Sequence, residues 1–81
     1  MTAEEHIIAW IESSPAHYDR LLRIATPGNF LSDLNRANAC MMLAGNAYQA
    51  MTKSGDAYRR EHSTETILGA ALAISTWKGP E

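Results

Sequence analysis

Apolar residues recur through the middle of this 81-residue chain at the spacing of one face of a helix. Their intervals alternate between four and three residues, which is the heptad spacing that buries one side of a helix against its neighbours. The stripe consists of Phe30, Leu34, Ala37, Met41, Ala44, Tyr48 and Met51. The pattern predicts a long central helix from about Phe30 or Ser32 to Lys53, with this stripe in the core of the fold.

The two flanks of this stripe are also apolar or small. One flank contains Met42 and Gly45, and the other contains Cys40, Leu43 and Ala47, when residues are placed at intervals of about 100°. A helix that is apolar over most of its circumference needs cover from several directions. We therefore expect part of this surface to be buried by a second chain.

Two shorter helices are predicted before the central one. Thr2 and Glu5 match a capping box, which starts a first helix over residues 3–13. The Ser-Pro pair that follows starts a second helix, which runs from Pro15 to about Ala25. The segment TPGN that comes next has proline and glycine at positions that favour a turn.

A fourth helix follows, and its start has two alternatives. Gly55 matches a C-terminal cap for the central helix, and either Asp56 or Ser63 can begin the next one. Helical character is expected within residues 57–77, because the glycine and proline beyond it do not continue a helix. The chain is therefore predicted to be all-α, a compact four-helix bundle with one long central helix and short loops, in a single domain over residues 1–81.

The fourth helix, like the central one, has more than one apolar face. Its main face includes Ala70 and Ile74, and Leu68 and Leu72 form a second face roughly 100–140° away. Two such helices need more cover than a small monomer provides, so we expect the chain to form a homodimer or a higher oligomer. The residues predicted to lie in that interface are Met42, Leu43, Gly45, Leu68, Leu72 and Trp77.

Two glycines, Gly45 and Gly69, stand inside predicted helices. Each costs about 1 kcal/mol relative to alanine at such a position. A close packing contact would explain the cost, and simple tolerance of glycine is the alternative. Both explanations stay open.

The charge balance argues against a protein that binds phosphate backbones. The formal net charge is −2 and the isoelectric point is about 5.9, whereas such binding needs clustered lysine and arginine. A helix-turn-helix would place Asn35, Arg36 and Asn38 near the start of a recognition helix. Asp33 opposes phosphate there, and the neighbouring leucines are expected to be buried. A DNA-binding regulator is therefore the third hypothesis.

No motif for catalysis or metal binding is found in the sequence. Cys40, Met41 and Met42 are soft donors, but adjacent residues on a helix point about 100° apart and cannot converge on one ion. Cys40 stands in a long apolar stretch, where burial raises the pKa of a thiol and keeps it unreactive. The histidines lack the spacing of a zinc site. We expect neither an enzyme nor a bound metal or cofactor.

The single cysteine fits a reducing compartment. Glu4 and Glu5 stand where a signal peptide would have basic residues. The longest apolar run, residues 67–74, is too short to span a bilayer. We therefore expect a cytoplasmic protein that does not enter a membrane.

Binding is the function that these exclusions favour. Arginines beside aromatic residues are common in interface hot spots and in anion sites. The candidates for partner or ligand binding are Tyr58, Arg59, Arg60, His62 and Arg36, and a solvated helix face is the plain alternative for each. In type, the chain resembles the small accessory proteins of phages and mobile elements, which often bind and block a host factor. An inhibitor-like protein that binds a protein partner is the first hypothesis, and one that sequesters a small anionic, nucleotide-type ligand is the second.

Overall fold

The computed structural model describes residues 2–53 and 63–79. Within these ranges the chain forms helices and no strand. The elements are α1 Ala3–Ser13, α2 Pro15–Ile24, a 3-10 turn Pro27–Asn29, α3 Asp33–Lys53 and α4 Ser63–Ser75. The predicted all-α fold of four helices is therefore confirmed. The predicted cap at Gly55 and the alternative start of the fourth helix at Asp56 lie outside the described residues.

Side-chain caps mark the starts of α1 and α3. In α1 the backbone N–H of Glu5 donates to Thr2 Oγ1, and the backbone N–H of Thr2 donates to Glu5 Oε1, both at 3.2 Å. The Thr2 backbone hydrogen bond is the main reason that the pKa of the Glu5 carboxyl is lowered. In α3 the backbone N–H of Asn35 donates to Ser32 Oγ at 3.1 Å, so the helix begins after Ser32, and Phe30 lies before it.

The core lies where α3 meets the other three helices, and α3 packs most extensively against α4. Ile7 and Ile11 of α1 and Leu21 of α2 have no accessible surface, and neither have Ala70 and Ile74 of α4. Full burial of a large aliphatic side chain contributes about 1.5–3 kcal/mol. This cluster is therefore the main source of stability.

The buried side of α3 differs from the predicted stripe. It consists of Cys40, Leu43, Ala44, Ala47, Tyr48 and Met51. Three of these, Cys40, Leu43 and Ala47, belong to a flank of the predicted stripe, so α3 is rotated toward that flank.

The predicted stripe is right in its C-terminal half and wrong in its N-terminal half. Leu34 is 71% exposed, Met41 is 39% exposed, and Ala37 is exposed as well. Leu31, for which burial is also predicted, is 97% exposed. Phe30 is half-buried against the core. The rotation of α3 thus turns apolar residues of its first half to the surface.

Arg36 explains this rotation. Its Nε donates to the carbonyl oxygen of Ile24 at 2.9 Å, and its Nη2 donates to the carbonyl oxygen of Ser75 at 3.0 Å. These carbonyls lie in the last turns of α2 and α4, where they lack helical partners and where the helix dipole favours a positive charge. With Arg36 held there, the opposite side of α3, with Leu34 and Met41, faces away from the bundle.

Candidate protein-binding surface

The side of α3 that faces away from the bundle carries large exposed apolar side chains among exposed amide side chains. We name the residues Leu34, Asn38, Met41, Met42 and Gly45 the outer α3 face, because helical spacing places them on one side. Met42 is 63% exposed, and Leu34 and Met41 also expose large parts of their surfaces. Single exposed apolar residues are ordinary on proteins, but several on one helix side mark an interaction site.

No charged residue interrupts this part of α3. Residues 37–52 contain no aspartate, glutamate, lysine or arginine. A helix side in water normally carries charged residues, which keep it solvated and discourage association. The outer α3 face contains no charged residue over about three turns, so it favours contact with another apolar surface.

The two helical glycines have different surroundings. A Cβ added at Gly69 would lie 2.8 Å from Cγ of Glu4, so the Glu4 side chain of α1 packs over Gly69. A Cβ added at Gly45 would meet no atom within 4 Å. The packing explanation is therefore supported for Gly69. Gly45 instead leaves open space on the outer α3 face.

The residues predicted for self-association occupy different environments. Met42 and Gly45 belong to the outer α3 face. Leu43 is fully buried in the core, so it offers no surface to a second chain. Leu68 and Leu72 are 47% and 69% exposed and form a separate, smaller apolar surface on α4.

Trp77, the last of that set, borders a groove of about 760 Å³ between α1 and the end of α4. Its Nε1 donates to Oε2 of Glu12 at 3.1 Å. Its ring stands edge-on to the ring of Tyr18, with 6.0 Å between the ring centroids. These contacts join the end of α4 to α1 and α2, so Trp77 contributes to packing within the chain.

Four of the five residues predicted to bind a partner or ligand lie outside the described residues: Tyr58, Arg59, Arg60 and His62. The fifth, Arg36, lines a second groove of about 540 Å³ together with Lys78. Its guanidinium already donates to two backbone carbonyls. Part of its hydrogen-bonding capacity is therefore used within the fold.

The sulfur-rich part of α3 does not assemble a reactive group. Cys40 is buried, and burial raises the pKa of its thiol, although the charge of Arg36 offsets part of this effect. Met41 and Met42 are exposed, so the three sulfur side chains diverge as predicted. Within residues 2–53 and 63–79, no three His, Cys, Asp or Glu side chains are placed to hold a metal ion.

The exposed start of α3 bears on the DNA-binding hypothesis. Leu31 and Leu34 lie at the surface beside Asp33, contrary to the predicted burial of the leucines. Phosphate backbones are bound by lysine, arginine and other hydrogen-bond donors. Two exposed leucines next to a carboxylate suit an apolar partner better.

Leu34 and Met41 are the residues of the outer α3 face that the sequence pattern placed in the core. The available signal was Arg36, the one arginine within the predicted long helix. An arginine in an otherwise apolar helix either faces water or anchors a carbonyl. Only the second alternative places Leu34 and Met41 outside the core, and the sequence did not distinguish the two.

No protein-family model, no curated protein and no solved structure matches this chain. Among the helices within the described ranges, none is long and apolar enough to cross a membrane. Its function is therefore inferred from its own surface, of which the outer α3 face is the most distinctive part.

Proposed function

We propose that this protein is a non-enzymatic binding protein whose target is another protein chain, which it contacts through the outer α3 face. The observation that carries the proposal is the exposure of Leu34, Met41 and Met42 on a helix side without charge. Apolar anchors at helical spacing are the elements by which a helix binds a groove or a second helix. The protein acts by occluding a surface of its target, as an inhibitor or accessory protein of the phage type does. Its single thiol is compatible with a reducing cytoplasm.

The outer α3 face recognises shape and apolarity rather than charge. Methionine is unbranched and adapts to the surface it meets, and Leu34 adds a stiffer anchor beside Met41 and Met42. Because residues 37–52 carry no charge, binding should depend weakly on salt concentration. Burial of this surface should give a negative heat-capacity change on binding.

The proposal is tested by placing a charge on this surface. Leu34→Glu and Met42→Glu add a carboxylate to the outer α3 face, and Leu72→Glu is the matched control on α4, where the leucine is 69% exposed. Each protein is immobilised and exposed to an extract of its source cells. Retained proteins are identified and quantified by mass spectrometry.

We expect at least one protein to be retained by the wild type and by Leu72→Glu. The retained amount of that protein should fall about tenfold or more with both outer-face variants, because replacing a central apolar anchor of an interface has an effect of this size. The proposal is wrong if both outer-face variants retain every protein that the wild type retains.

A further inference from the structure

We propose that a second copy of this chain binds the outer α3 face, with the two α3 helices packed antiparallel about a two-fold axis. This inference rests on the proposed function, because it names a partner for the same surface. Such a dimer keeps the apolar residues out of water when no other target is present.

The exposed side chains in and before α3 supply more than half of the area that each copy buries in a specific dimer. Leu31, in the bend before α3, is 97% exposed, and Leu34, Met42 and Met41 are 71%, 63% and 39% exposed. Together these fractions amount to on the order of 500 Å² of mostly apolar surface, against about 800 Å² that each partner contributes to a specific interface. The small and amide residues of the outer α3 face add to this area.

The order of residues along the face suits a copy that runs in the opposite direction. Leu34, Asn38, Met41 and Gly45 follow one another at intervals of four, three and four residues, which read the same from either end. In an antiparallel pair, Leu34 of each copy therefore lies opposite Gly45 of the other. The exposed Leu34 side chain of each copy then fills the open space above Gly45 of the other copy, so the two-fold axis generates this contact twice.

Charge favours the same arrangement. Identical surfaces repel each other when they carry net charge, and residues 37–52 carry none. Parallel packing would bring together two Asp33 carboxylates and two helix N-termini. Antiparallel packing separates these groups and aligns the helix dipoles favourably. The charges and helix dipoles therefore favour pairing of the outer α3 face with a second copy in the antiparallel orientation.

The experiment is a mass determination of the purified protein by sedimentation equilibrium at micromolar concentrations. We expect twice the single-chain mass of 8.9 kDa for the wild type and for Leu72→Glu. For Leu34→Glu and Met42→Glu we expect the mass to halve. Both positions lie outside the core, so the helical circular dichroism signal should stay unchanged in both variants. If one variant loses this signal because it does not fold, the mass of the other variant tests the dimer.

A monomeric wild type overturns the dimer. If the wild type still retains another protein through the outer α3 face, the proposed function survives, and if it retains none, both fail. If the dimer dissociates in Leu72→Glu but persists in Met42→Glu, its interface lies on α4, and the inference is overturned. A dimer that none of the three substitutions affects overturns it as well.

Discussion

Arg36 joins three helices through its two hydrogen bonds. From α3 it donates to the carbonyl oxygens of Ile24, at the end of α2, and Ser75, at the end of α4. A hydrogen bond from a charged group contributes about 1.5–3 kcal/mol. Because the planar guanidinium presents several donors in fixed directions, lysine cannot replace it at both carbonyls.

We expect Arg36→Met to lower the free energy of unfolding by about 2–3 kcal/mol, since methionine keeps an apolar stem but leaves both carbonyls without their donor. Urea denaturation followed by circular dichroism measures the change. Arg23→Met, at an exposed position of α2, is the matched control and should stay within about 0.5 kcal/mol of the wild type. Equal effects of the two substitutions would contradict the role assigned to Arg36.

Cys40 is a core residue whose chemistry is suppressed by its surroundings. Burial raises the pKa of its thiol, so the thiolate fraction at a given pH is lower than in the unfolded chain. We expect the native protein to react with a thiol reagent at pH 8 at least about tenfold more slowly than the protein unfolded in urea. The rate should increase only at a higher pH than for an exposed thiol. Similar rates in the two states would show that Cys40 is accessible.

Among the elements, α3 could be predicted in extent but not in rotation. Its apolar residues fill most of the circumference, so periodicity gives no single buried side. The rotation depends on Arg36 and on carbonyls that lie 12 and 39 residues away in the chain. Such distant contacts leave no periodic signal in the sequence.

The extent of α1 could be predicted because local chemistry determines it. Thr2 and Glu5 form the predicted capping box, and Ser14 followed by Pro15 separates α1 from α2. Each of these signals acts within about four residues. Helix ends of this kind can be read from the sequence, whereas the side that a helix buries depends on the whole fold.

The two helical glycines, Gly45 and Gly69, should differ in their effect on stability when each is replaced by alanine. In a Met42→Glu background, which we expect to be monomeric, Gly45→Ala should raise the free energy of unfolding by about 1 kcal/mol, because alanine favours the helix and meets no atom. Gly69→Ala should raise the free energy of unfolding by less, because its Cβ would displace the Glu4 side chain. Urea denaturation of both variants measures the difference. A larger increase for Gly69→Ala would contradict the packing of the Glu4 side chain over Gly69.

For the whole molecule, the presence of exposed apolar surface could be predicted from the sequence, but its location only in part. Two helices with several apolar faces indicated a surface that one small chain cannot bury. Met42 and Gly45 are on the surface as predicted, whereas Leu43 is in the core. The difference follows from the rotation of α3, which also exposes Leu34 and Met41.

Chemical cross-linking of single cysteines on the outer α3 face, in a Cys40→Ala background, tests the antiparallel dimer most directly. In an antiparallel pair centred between residues 39 and 40, the two copies of position 41 are offset by about 5 Å along the helix axes, and the copies of position 34 by about 16 Å. We therefore predict that a short bismaleimide converts Met41→Cys to a covalent dimer and leaves Leu34→Cys monomeric. Equal cross-linking at both positions, or none at either, would contradict the antiparallel arrangement of the two α3 helices.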